Sequence, residues 1–241
     1  MAKPKFNNNG RILWEGLSAY DGVPIVVIAT GFKKKSANSK TGNEIQTWIL
    51  RQDMKPNDAA KQGFGQSVCG DCIHQPTKNN TCYVRTYQAP RSVWECYKKG
   101  RYQYLGSDKI SLFIDRVLRL GSYGDPAMVP VEVWSPLVDV ATSHTGYTHQ
   151  WRQEWAQGLK GICQASCDGL MDYVEASSHG WSTFLVKPSG EADPAGTVHC
   201  AASEERGRKT TCAACHLCDG STAHVVIDGH GSRGHKVVLV N

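Results

Sequence analysis

Most of the chain's ten cysteines are gathered in two short stretches, and this gathering limits the possible folds more than any hydrophobic pattern does. The first stretch reads Cys69-Gly70-Asp71-Cys72-Ile73-His74 and continues to Cys82. The second begins at Cys200 and resumes as Cys212-Ala213-Ala214-Cys215-His216-Leu217-Cys218. A C-x2-C step puts two sulfurs on one tight turn, where both can face the same ion. In C-x2-C-x2-C three thiolates share one loop, which with a fourth ligand elsewhere suits a [4Fe–4S] cluster. Completed by Cys200, the same run suits a four-cysteine zinc site. The expected metal ligands are Cys69, Cys72, His74 and Cys82 in one group and Cys200, Cys212, Cys215 and Cys218 in the other. Spacing leaves both zinc and iron–sulfur open, and one site or two. Cys163 and Cys167, spaced C-x3-C, read as helix-compatible core residues, and Cys96 as a buried thiol within a helix.

The alternative use of clustered cysteines is disulfide bonding, and the N-terminus argues against it. MAKPKFNNNG carries lysines with no apolar stretch behind them, so no secretory signal is expected and the chain should lie in the cytoplasm. Apolar runs such as Val23 to Ala29 are too short to span a bilayer. In a reducing compartment, clustered cysteines bind metal or do redox chemistry. A chain of 241 residues, 40% hydrophobic and 20% charged, can also bury an adequate core without disulfides. The net charge of +5 permits contact with nucleic acid without requiring it, and Lys33, Lys34 and Lys35 are the candidate phosphate-facing residues for DNA or RNA.

Two β-rich runs, Val23 to Ala29 and Gln46 to Leu50, flank a polar, glycine-containing connection and read as strands of a hairpin. Lys55-Pro56-Asn57-Asp58 can open a short helix, and Ser92 to Lys99 reads as a second helix with Ser92 as N-cap. From about Ile110 to Val186, apolar runs alternate with helix-compatible segments, the pattern of βα units with a mainly parallel sheet or a partial barrel. The expectation is an α/β fold: a β-rich N-terminal segment (1–62), then a partial or small βα barrel-like domain (63–241) with cysteine-rich loops, the two forming one compact unit. The segment AHVVIDGHGSRGHKVVLVN reads as a terminal hairpin.

In such folds the polar residues just beyond strand C-termini line the site. Arg119-Leu-Gly121-Ser122-Tyr123-Gly124-Asp125-Pro126 is one candidate: Arg119 could hold an anion while Asp125 acts as nucleophile or base. In the plainer alternative Asp125 caps the following helix. Tyr147 and His149 end the next candidate strand and would orient a substrate; Glu175, Ser177 and His179 follow a third. No Walker A loop, GxSxG elbow or HExxH motif occurs.

The stretches KTGNEIQTWIL, SVCGDC, SVWECYKKGRY, RLGSYGDP, TGYTHQW, HGWSTFLV and HCAASEERGRKTTCAACHLCDG together resemble a group of uncharacterised bacteriophage and mobile-element proteins. They are related to the phage "gene product eighty-eight" type and are described as radical-SAM-like. The likeness covers roughly residues 38–230, and its most specific part is Cys200 to Gly220. It implies action in a host cytoplasm, where nucleic acid metabolism is common business. By fold it also implies analogy to guanine transglycosylases, with an Asp nucleophile and structural zinc, or to radical-SAM enzymes. The spacings C-x2-C-x9-C and C-x2-C-x2-C differ from the radical-SAM signature C-x3-C-x2-C. The leading expectation is a metal-containing enzyme modifying or processing nucleic acid or a nucleotide-like substrate. The rivals are a non-catalytic zinc-containing nucleic-acid-binding module and a phage protein that binds a host protein.

Overall fold

A computed structural model describes residues 6–34, 39–207 and 209–229. It is a mixed α/β structure with two sheets. The first has six strands in the order β4-β1-β2-β3-β5-β6: β1 (Gly10–Leu17), β2 (Pro24–Thr30), β3 (Glu44–Arg51), β4 (Gln103–Tyr104), β5 (Val117–Tyr123) and β6 (Ser143–Thr145). β1, β2 and β3 pair antiparallel, as the two β-rich runs suggested, while β3–β5 and β5–β6 are parallel. The second sheet is parallel throughout, ordered β10-β11-β9-β8-β7: β7 (Tyr147–Thr148), β8 (Gln164–Cys167), β9 (Thr183–Lys187), β10 (Thr197–His199) and β11 (His224–Asp228).

The central strands are apolar because both of their faces are covered. β2 buries Ile25 to Ala29 without a break, and β11 buries Val225, Val226 and Ile227. The two faces of the second sheet meet different partners. Ala165, Leu185 and Val226 join the main core, on the side of α5 (Leu170–Ser178), whereas Phe184, Val186, Val225 and Ile227 pack with Cys200, Cys218 and Tyr147. The first sheet takes strands from both sides of residue 62, so the N-terminal segment is built into the same sheet as β5 and β6.

Several local expectations need adjustment. Pro56 opens α1 (Pro56–Gln62) as expected. The next long helix, α3 (Ala89–Lys98), begins before Ser92, because Pro90 in its first turn supplies a preset φ there; the four-residue α2 (Gln66–Cys69) precedes it. Cys163 and Cys167 are buried, but they sit on and beside β8 rather than on a helix. The expected terminal hairpin begins instead with β11, held between two parallel neighbours; its second arm, 230–241, lies outside the described residues, as does Lys35. The remaining helices are α4 (Val131–Val140) and α6 (Cys212–Cys215). No helix among the described residues is long and apolar enough to cross a membrane.

β5 carries a bulge that matters for the site. Gln46 faces Arg119 and Trp48 faces Tyr123, so β5 spends extra residues against β3 between these pairs. Gly121 takes a φ of 62° within it, and Thr47 Oγ1 stitches it by accepting from Gly121 N at 2.9 Å and donating to Arg119 O at 3.0 Å. Bulges of this kind re-aim side chains near functional sites.

Candidate metal centre

The first cysteine group lies beyond the C-terminal ends of β5 and β7. α2 is strapped there by two bonds: Asp125 N donates to Val68 O at 2.7 Å, and Gln150 Nε2 to Cys69 O at 3.4 Å. Burial pushes the Cys69 thiol up, and negative charge on Cys72 and Cys82 adds to the effect, so the three sulfurs are neighbours. Tyr123, delivered by the bulge, is also pushed up, by burial and then by the charges of Cys69 and Cys82.

His149 follows β7 and is hydrogen-bonded to the Cys72 sulfur; its Nε2 is 3.5 Å from Asp168 Oδ1. Burial opposes its protonated form, yet the Cys72 thiolate and Asp168 outweigh burial and hold the imidazole well above its ordinary range. Asp168, beyond the end of β8, has its Oδ1 2.8 Å from His74 Nε2, and the other ring nitrogen of His74 meets Thr81 Oγ1 at 2.6 Å. Despite burial, the two histidines hold the Asp168 carboxyl well below the usual carboxylate range. Sequence spacing paired His74 with the cysteines. Here both its ring nitrogens have other partners, and His149 is the histidine that reaches Cys72. Asp168 escaped the sequence reading because it lies 94 residues from His74 and carries no motif of its own.

Asp125 is buried and turned inward. Its Oδ1 accepts from Ala127 N at 2.9 Å, capping the short 3-10 turn Pro126–Met128, and its Oδ2 accepts from His149 N at 2.8 Å. The carboxylate thus holds the backbone that carries His149. Arg119 has a different set of neighbours. The Arg119 guanidinium lies 5.4 Å over the Tyr147 ring, with Nη2 3.4 Å from the Tyr83 hydroxyl, close to Glu44 and Cys212. Tyr147 in turn hydrogen-bonds Cys218 and packs edge-on against Phe184 at 4.7 Å.

The second cysteine group is anchored by different segments. Cys212 N donates to Lys40 O just before β3, Gly146 N to Cys218 O, and Gln164 Nε2 to Leu217 O and Ala223 O. Burial pushes Cys218 up to about 12 and Cys212 up to about 11. Cys200, Cys212 and Cys215 all add to the rise at Cys218, so the four thiols converge on one region.

Among the described residues, one set of three or more His, Cys, Asp or Glu side chains has its ligand atoms all within 4.8 Å of one another: His74, His149 and Asp168. No three thiols of either cysteine group meet that spacing. Elsewhere, Lys187 at the end of β9 is buried with Nζ 2.5 Å from Asp228 Oδ1 at the end of β11, a pair that the sequence did not suggest. Glu175 is taken up by Arg152, and His179 Nδ1 meets the Glu175 carbonyl. Lys33 and Lys34 are exposed, their backbone N–H groups both held by Asn9 Oδ1. No protein-family model matches the chain, and neither a curated protein nor a solved structure shows significant similarity to it.

Proposed function

We propose that the chain is a metalloenzyme with two thiolate-held centres, an open one at Cys69, Cys72 and Cys82 and a closed one at Cys200, Cys212, Cys215 and Cys218. The observation that carries this reading is a convergence. The residues beyond β3, β5, β7 and β8, namely the three cysteines, Asp125, His149 and Asp168, meet at the C-terminal edge of parallel strands. Active sites of α/β folds form at that edge. We read the two sheets as one barrel-like wrap, because β3, β5 and β6 run parallel in one sheet, β7, β8, β9 and β11 run parallel in the other, and Gly146 alone separates β6 from β7.

Of the two metals, we favour an iron–sulfur cluster at the open centre. Zinc binds each sulfur at about 2.3 Å and so draws thiolates within roughly 4 Å of one another, whereas no three of these sulfurs stand all within 4.8 Å of one another. A cluster gives each cysteine its own iron and supplies one-electron chemistry. Around it, Asp125 fixes the His149 backbone, and the His149 ring hydrogen-bonds the Cys72 sulfur. The substrate we propose is nucleic acid or a nucleotide-like molecule, supported by the net charge of +5 and the exposed Lys33 and Lys34. A phage-encoded chain would meet it in the host cytoplasm.

The test is iron, zinc and acid-labile sulfide content with an absorption spectrum, on protein isolated without oxygen. Iron and sulfide with a broad band at roughly 400 nm support the reading. A colourless protein holding zinc alone removes the cluster and favours the zinc-containing nucleic-acid-binding module. That module predicts DNA or RNA affinity that falls steeply with salt and is lost when Lys33 and Lys34 are neutralised.

A further inference from the structure

His74, His149 and Asp168 stand beside the first cysteine group, with His149 bonded to the Cys72 sulfur, and their ligand atoms meet within 4.8 Å. They come from the loop after α2, from the end of β7 and from the end of β8. Their side chains are largely buried, with 20%, 23% and 15% of the side-chain surface exposed. We infer that these three residues form a separate site for one borderline divalent cation, zinc or iron(II).

Each of the three residues is held by a further bond, at the second ring nitrogen of His74, as in metal-bound histidines, and at the backbone N–H of His149 and Asp168. At His74, Nδ1 meets Thr81 Oγ1 at 2.6 Å, and a hydroxyl there can accept, which leaves the Nε2 lone pair toward Asp168. At His149, the backbone N–H is clamped by Asp125 at 2.8 Å and the ring stands edge-on to His74, centroids 5.4 Å apart. Asp168 is fixed through its own N–H, which donates to Asp172 Oδ2 at 2.9 Å. Two imidazoles converging on one carboxylate oxygen call for positive charge at the point where they meet. A dication between them supplies it without setting two imidazolium rings face to edge.

The donor set chooses the ion. Two imidazole nitrogens and one carboxylate suit zinc or iron(II) better than calcium or magnesium, which prefer an all-oxygen shell. Three protein donors also leave a position open on a four-coordinate ion, for water or an anionic oxygen of a substrate. This site does not depend on what the cysteines hold: it stands beside a cluster, beside zinc or beside free thiols.

Zinc alone is the probe. Protein isolated without oxygen, its cysteine-bound metal in place, is titrated with zinc chloride, desalted and counted for zinc, iron and sulfide. Asp168→Asn, His74→Ala and Thr81→Val are carried alongside. Wild type is expected to hold one zinc equivalent more than Asp168→Asn or His74→Ala, with thiolate-bound metal and sulfide equal in all. Thr81→Val, which removes only the bond behind His74, is expected to bind that equivalent roughly 10- to 100-fold more weakly; it keeps the test alive if a ligand variant does not fold. Equal zinc uptake by wild type and all variants overturns the site. So does a loss that strips the thiolate-bound metal in parallel, since His74 and Asp168 would then only buttress the cysteines. Absence of iron and sulfide sinks the cluster reading and leaves this zinc difference untouched.

Discussion

Replacing Asp125 separates a carboxylate that does chemistry from one that holds backbone in place. Asp125→Ala deletes two acceptors, one for Ala127 N at 2.9 Å and one for His149 N at 2.8 Å. Loss of a capping bond costs about 1 kcal/mol. A backbone N–H that loses a charged acceptor costs a further roughly 1.5–3 kcal/mol. Part is returned, because burial penalises the carboxylate and raises its pKa. The net expectation is about 3 kcal/mol, which for a chain of this size lowers Tm by roughly 6–12 °C. The assay is thermal unfolding followed by far-ultraviolet circular dichroism, with the metal content of each sample measured in parallel. Asp125→Asn keeps one acceptor oxygen, so it should fall between wild type and alanine. If Asp125→Ala melted within about 2 °C of wild type, the clamp would carry no weight. An activity lost at unchanged Tm would return Asp125 to the role of nucleophile or base.

Three further outcomes follow from buried charge and backbone geometry. Glu44 is fully buried, and burial, offset in part by Arg119, raises its carboxyl from the ordinary 4.5 to about 7. Its native state thus keeps a proton that the unfolded chain releases, so this contribution is present below pH 4.5 and is lost as pH rises through 7. Glu44→Gln should gain on the order of 3 kcal/mol over wild type at pH 8, the gap closing below pH 4.5; urea midpoints across that range measure it. Lys187→Met leaves Asp228 buried with Arg206 at 3.3 Å as remaining cation, and should cost roughly 3 kcal/mol by the same assay. Gly124→Ala would put a methyl 2.6 Å from Ile49 Cβ and 3.0 Å from Ile49 O at a φ of 86°, costing roughly 2–5 kcal/mol from left-handed backbone and overpacking together.

What could be read in the sequence depended on how local the signal was. The strand at Val23–Ala29, Pro56 at the head of a helix and the strand-to-turn passage Arg119–Pro126 are written in adjacent residues, and they stand where such residues put them. The alternation after Ile110 likewise announced parallel pairing, because strands covered on both faces need continuous apolar runs. The exchange of roles between His74 and His149 was not legible. One residue separates His74 from Cys72, yet the chain turns its ring toward Asp168, while His149 lies 77 positions beyond Cys72, just after a strand. Asp168 and the Lys187–Asp228 pair were invisible for the same reason, since each is made by neighbouring strands rather than by neighbouring residues. Cys163 and Cys167 misled in the opposite direction. A four-residue spacing is helical only if a helix is present, and β8 buries both without one.

Arg119 ties these observations together, and its replacement tests whether the two cysteine groups are independent. Arg119 and Tyr123 stand at most about 13 Å apart along β5, yet the first neighbours Cys212 and the second Cys69 and Cys82. The strand therefore spans the distance between the groups. Arg119 also joins them through side chains: Tyr83, next in sequence to Cys82, meets its Nη2, and Tyr147, hydrogen-bonded to Cys218, lies beneath its guanidinium. A guanidinium held between two tyrosines and near Glu44 acts as a strut between the two groups. Arg119→Met should keep the bulk but lose the cation–π contact, worth about 0.5–2 kcal/mol. It should also leave Glu44 with a still higher carboxyl pKa, because the cation that lowers it is gone. On the proposed reading, metal retention under chelator challenge should then fall at both cysteine groups, with the closed group the more affected because Cys212 loses its neighbouring positive charge. Loss confined to Cys69, Cys72 and Cys82 would mean that Arg119 serves the open centre alone. Unchanged retention at both would show that the two centres share a strand without sharing stability.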